Sequence, residues 1–223
     1  MAHLPRSRTL MRATMMCRRL KLLGIAALFG VLVFVLGIND FLAISSPVDG
    51  NILVVEGWIW QSSAMREAVG EFNHGRYNWL VTVGAPIDGN DGATDQKSSA
   101  KLAARRLREL GVDESHIVVL AMPSVRLHQT YNSAVMLRDW LIKSKTETTG
   151  VNVLTLGTHA RKSLVIFRRA LGPGLKVGVI AGTEDTFDAS RWWMSARGMY
   201  VMTRKTLGYL YAVFWPLPNA GSI

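Results

Sequence analysis

The sequence predicts an α/β fold, a Rossmann-like three-layer sandwich with a mainly parallel five-stranded sheet, preceded by one N-terminal transmembrane helix. Three observations carry that reading. Five short apolar runs, rich in β-branched residues, recur between residues 51 and 180. Stretches of helical periodicity separate them. A charge-free apolar run, Leu22 to Ile38, stands ahead of all of it. Continuous apolar strands alternating with helices belong to a parallel sheet covered on both faces.

The first element is the apolar run itself. Its 17 residues rise about 26 Å as a helix, near the hydrocarbon thickness of a bilayer, and Leu20 and Phe41-Leu42 extend it. Ahead of it lie Arg6, Arg8, Arg12, Arg18, Arg19 and Lys21, with no acid before residue 40. That asymmetry places the N-terminus in the cytoplasm and the remainder outside. The expected location is the plasma (inner) membrane, single-pass, with an extracytoplasmic C-terminal domain. The run exceeds a typical signal-peptide core and no clean small-x-small cleavage site follows it, which favours an uncleaved anchor. Cys17, the only cysteine, precedes the run, so the exported domain forms no disulfide.

The net charge of +10 invites a nucleic-acid partner, but its distribution argues against one. Six of the 26 basic residues sit in the first 21 positions, and the other 20 face 16 acids. No basic-aromatic stripe or nucleic-acid motif accompanies them. The expected partners are the lipid bilayer, through the N-terminal helix, and a small anionic ligand.

In order, Asn51–Val55 reads as the first strand and ends at Glu56-Gly57. Ala64–Phe72 has helical spacing, with Gly75 as its stop. Trp79–Val83 is the second strand, ending at Gly84, and a Gly/Asp/Asn-rich loop covers 85–95. A helix follows from about Gln96 to Leu110, then a third strand over Ile117–Leu120. Thr130 is expected to cap a helix reaching Ile142. Val151–Leu156 is the fourth strand, and its helix runs to Leu171 before Gly172-Pro173. Lys176–Ile180 is the fifth. The aromatic run 207–215 is too short to span a membrane; it reads equally as an interfacial segment or as a final helix on the sheet. The expected organisation is a basic tail (1–21), an anchor (22–42), an α/β domain (45–205) and an aromatic C-terminal helix or tail (206–223).

In a parallel sheet the loops after the strands open on one edge, where ligands bind. Glu56 follows strand one; Asp88, Asp91 and Asp95 follow strand two; His128 and Thr130 follow strand three; His159 and Arg161 follow strand four; Glu184 and Asp185 follow strand five. An imidazole and a guanidinium at a strand-to-helix turn suit a phosphate or carboxylate. Asp88 and Asp91 also suit plain Asx turns. Glu56 is harder to explain without a partner, because an acid ending a buried strand is costly. No tight ligand spacing marks a metal site, no Gly-x-Gly-x-x-Gly follows the first strand, and Gly-x-Ser-x-Gly is absent. No cofactor follows from the sequence.

The ordered landmarks resemble the YdcF/SanA/ElyC-like family of bacterial envelope proteins. They are Ile52–Val55 with Gly57, Gly84, Gly111-Val112, Thr130 with Ala134, and Thr155 with His159 and Arg161, over about residues 51–205. The family's Thr-x-Glu-Asn-Ala motif becomes Thr130-Tyr131-Asn132-Ser133-Ala134 here, without the acid. The resemblance implies a Rossmann-like fold and a place in cell-envelope metabolism, of peptidoglycan or a lipid carrier. On this reading His159 and Glu56 are the catalytic pair. Arg161, Gly57, Gly84, Asp88, Thr130, Asn132 and Thr155 contact a phosphorylated or nucleotide-like ligand. The alternative, favoured by Asn132 where the family has an acid, is a non-catalytic sensing or scaffold module.

Overall fold

Five parallel strands lie side by side in the order β3-β2-β1-β4-β5. They are β1 (Ile52–Glu56), β2 (Trp79–Gly84), β3 (Ile117–Ala121), β4 (Val151–Leu156) and β5 (Val177–Gly182). The computed structural model describes residues 6–87, 98–123 and 127–214, with backbone alone for 6–15 and 17. The helices of the described residues are α1 (Arg6–Leu42), α2 (Ser62–His74), α3 (Ser99–Glu109), α4 (Gln129–Ser144), α5 (Ala160–Leu171) and α6 (Ala196–Phe214). Contacts divide the chain into two units, residues 1–39 and 40–223.

The first unit is helical. The stretch Arg18–Leu42, which ends just beyond it, is long and apolar enough to cross a membrane. Its leucines, valines and phenylalanines from 20 to 36 are exposed, all but the half-buried Val35, as lipid-facing side chains would be.

In the second unit the strands are apolar on both sides because helices cover both sides. From β1 the chain steps outward through α2 to β2 and through α3 to β3, then crosses back through α4 to β4 and outward again through α5 to β5. Crossovers of one hand must switch faces when the direction of travel reverses. Accordingly α2 and α3 pack on one face, against Leu53, Val55, Leu80 and Leu154. On the other, α4, α5 and Ala212 of α6 pack against Ile52, Val54, Val81, Val83 and Val153. The fold class is as the sequence predicts, and the sheet is entirely parallel.

Element ends moved by a residue or two, with one consequence. Thr130 does not cap α4. His128 holds the cap position in the left-handed region, at φ 58°. Thr130 is already inside the helix and buried. The expected helix start near Gln96 and the loop aspartates lie outside the described residues. At the C-terminus, α6 runs unbroken across the expected boundary at 205/206.

Two glycines are placed by packing. The first turn of α3, capped by the Ser98 hydroxyl on the Lys101 amide at 3.2 Å, lies directly on the ends of β1 and β2. A Cβ on Gly57 would stand 2.7 Å from the backbone of Ser99 and Ala100, and one on Gly84 would stand 2.8 Å from the Ala100 amide. Gly57→Ala should therefore cost about 1–3 kcal/mol through backbone overpacking. Gly70→Ala, at an open position inside α2, should instead stabilise by roughly 0.5–1 kcal/mol. Denaturant midpoints of the two variants should move in opposite directions.

Candidate functional site

The strand order reverses between β1 and β4, and there Glu56 ends β1 and Thr155 lies near the end of β4. Side chains alternate along a strand, so Glu56 continues the face of Ile52 and Val54, and Thr155 that of Val151 and Val153. The register pairs Val55 with Leu154, which sets the next two residues, Glu56 and Thr155, beside one another. The Thr155 hydroxyl donates to Glu56 Oε2, and the Ser163 hydroxyl of α5 donates to the same oxygen at 3.1 Å. Glu56 is only 2% exposed. Burial pushes its carboxyl above the usual range, partly offset by these two donors and by Lys205 and Lys162.

His159 closes a single 3-10 turn, Gly157–His159, that leads from β4 into α5. Its Nε2 lies 3.4 Å from the Thr130 hydroxyl and 3.8 Å from Glu56 Oε2. Its Nδ1 lies 3.1 Å from Lys205 Nζ of α6. An ammonium only donates, so Nδ1 accepts and the ring proton sits on Nε2, facing Thr130 and Glu56. Burial, then Lys205, Lys162 and Arg204, hold the imidazole well below its usual range. The His159–Glu56 approach is thus a neutral ring beside a carboxyl, not an ion pair, near pH 7. Trp58 fixes the assembly from above, edge-on to His159 at 5.0 Å and under the Lys205 ammonium at 4.5 Å.

Glu56, Trp58, Thr130, His159 and Lys205 line a pocket of about 640 Å³, within the usual range for small-molecule sites. Lys162, Arg204 and Lys205 contribute three cations; Glu56 is the one carboxyl among its described lining residues. Burial pulls Lys205 down to about 8, helped by Lys162 and Arg204 and opposed by Glu56 and Glu184. Lys162 is lowered in the same way. Two cations desolvated beside each other are an unfilled electrostatic demand that an anion would meet. The exposed part of the lining includes the apolar and aromatic side chains of Trp60, Ile87, Leu127 and Tyr211.

Of the residues singled out in the sequence, Glu56, His159, Thr130 and Gly84 line this pocket, and Thr155 lies behind it on Glu56. Gly57 is under α3. Asn132 is on α4, its amide bonded to the Leu127 carbonyl at 3.3 Å, and it is not among the lining residues. Asp88 lies outside the described residues. Glu184 accepts locally from the Thr186 amide and hydroxyl, and Asp185 accepts from the Ser63 hydroxyl of α2, both at the surface.

Arg161 requires a correction. Its guanidinium donates to the Phe41 carbonyl and covers the Phe41 ring at 3.9 Å, so it is not at the pocket. On a helix, residues three and four apart share a face while residues two apart do not. Counting from His159, that rule selects Lys162 and Ser163, the residues found at the pocket and on Glu56, and rejects Arg161. The signal was present for those two. No local spacing could identify Lys205, 46 positions away on a different helix.

Among the described residues no group of three or more His, Cys, Asp or Glu is placed to hold a metal ion. Compared with family models, with curated proteins and with solved structures, the chain finds no match in any of the three.

Replacing Thr155 by Val keeps its shape but removes a donor from a buried carboxyl. Thr155→Val should cost about 1–3 kcal/mol, read as a lowered denaturant midpoint, and Thr155→Ser should recover most of it. Equal stability of the parent and the Val variant would show that Glu56 does not depend on this bond.

Proposed function

We propose that this is a membrane-anchored, extracytoplasmic protein, akin to the YdcF/SanA/ElyC-like family, that binds a phosphorylated intermediate of envelope metabolism at the β1/β4 switch point. The observation that carries the ligand class is the charge of the pocket: Lys162, Arg204 and Lys205 surround one buried carboxyl and a neutral imidazole. The apolar helix supports the anchoring, and the ordered motifs support the place in the envelope.

In this reading the two lysines and Arg204 hold the anion as point charges and a fork. Its negative charge offsets the cations' share of what keeps the buried His159 unprotonated, so the imidazole gains basicity as the ligand enters. His159 can then take or give a proton at Nε2, while Glu56, held by Thr155 and Ser163, orients it. A non-catalytic sensing role is favoured by one feature: the family's acidic position is Asn132, and its side chain bonds to Leu127 away from the pocket. Turnover of the bound ligand by the purified protein decides between them.

Full-length protein in detergent should be stabilised by pyrophosphate, a nucleotide sugar or a polyprenyl phosphate, and not by a neutral sugar. At 100 times the dissociation constant the gain is about 2.7 kcal/mol, readable as a melting shift. Lys162→Ala and Lys205→Ala should remove it. Affinity should fall above about pH 8, as Lys205 loses its proton and the pocket a positive charge, and should rise at acid pH as the liganded imidazole takes up a proton. Lys205→Arg should move that fall to higher pH, where only Lys162 is left to titrate. Equal shifts from neutral and anionic ligands, or no shift from any phosphate, would contradict the reading.

A further inference from the structure

The two sides of α6 differ. Met202, Lys205, Tyr209 and Ala212 fall on one side of the helix, with Met202 and Ala212 buried and Lys205 against His159. Leu207, Leu210, Tyr211 and Phe214 fall within an arc of about 100° on the other. They are large, apolar or aromatic, and exposed, Leu207 by 61% and Phe214 by 79%. A run of four such residues on one helical face is more than the scattered exposure ordinary surfaces show.

Two further observations identify what the stripe meets. First, α6 carries Arg197, Arg204 and Lys205 and no acid along its 19 residues. An apolar stripe on a purely basic helix with aromatics suits an anionic lipid surface. Second, Phe41, next to last in the apolar span Arg18–Leu42, packs edge-on against Tyr209 at 5.4 Å. Chain continuity puts Phe41 at the bilayer boundary. The stripe is then no farther from that boundary than about one helix diameter, roughly 10–12 Å.

We infer that the exposed face of α6 is a second membrane contact, which lies in the interface of an anionic bilayer and brings the pocket mouth to the headgroup layer. Tyr211 belongs both to the stripe and to the pocket lining, and Arg204 and Lys205 precede it on the same helix. A phosphate carried on a lipid would therefore reach the three cations without leaving the membrane surface. That last consequence rests on the anion-binding reading; the membrane contact does not.

The experiment uses the full-length protein in nanodiscs containing phosphatidylglycerol, with Cys17→Ser as background and a nitroxide at Leu210→Cys or Phe214→Cys. Ile142→Cys, exposed near the C-terminal end of α4 and hence at the opposite edge of the sheet, is the control. No ligand is added, so failure here leaves the pocket reading untouched. The expected result is loss of collisions with a water-soluble nickel chelate at 210 and 214, with collisions with oxygen retained, while 142 stays open to nickel. Nickel access at 210 and 214 equal to that at 142 would overturn the inference. Protection from both reagents would also overturn it, by showing that another protein surface covers the stripe.

Discussion

The second unit of this protein is organised around one buried carboxyl. Glu56 ends a strand that is otherwise wholly apolar, and an acid there is tolerated only if its oxygens find donors or its proton stays on. Two hydroxyls from separate elements, Thr155 and Ser163, meet the same oxygen. Burial still pushes the carboxyl up. The remaining compensation is cationic, from Lys205 and Lys162, and those cations add to the burial that holds His159 neutral. Burial disfavours the charged form of the carboxyl and of both lysines, and their opposite charges offset part of that cost. Such clusters are found where a protein keeps charge poised for a ligand.

The topology explains why the cluster forms where it does. A sheet of order β3-β2-β1-β4-β5 has its crevice between β1 and β4, because the connections leave those two strands toward opposite faces. The β1 end supplies Glu56 and Trp58. The β4 end supplies Thr155 and, one short turn on, His159; the first turn of α5 supplies Lys162 and Ser163. The tight fit of α3 over Gly57 and Gly84 closes the opposite side of the strand ends. Only α6 is not dictated by this geometry, and it brings the cation that touches the imidazole.

Much of the sheet was legible because its signal is local. Five apolar β-branched runs between helical stretches left little freedom in fold class, and the edges differed from expectation by a residue or two. Glu56 and His159 were legible for the same reason, as polar residues at the ends of apolar strands. Arg161 was misplaced by reading charge without helical phase, since the face of His159 continues through Lys162 and Ser163. Gly57 was assigned to a ligand from the family resemblance, and its close packing under α3 is a separate demand for glycine that depends on where α3 lies. Thr130 was assigned as a cap from its residue type, whereas His128 takes the strained turn and frees Thr130 for the imidazole. Lys205 and Arg204 were missed because a contact between distant helices leaves no periodic trace in the chain.

The most direct measurement is the proton titration of His159 in the full-length protein, followed by nitrogen-15 imidazole resonances with and without pyrophosphate. An anion seat of this charge requires an imidazole that is neutral, protonated on Nε2, and titrates well below 6.5 when empty. Pyrophosphate should then move its midpoint upward. A ring that titrates near 6.5 and ignores pyrophosphate would mean that His159 is not held by the lysines, and that the pocket is not built for an anion.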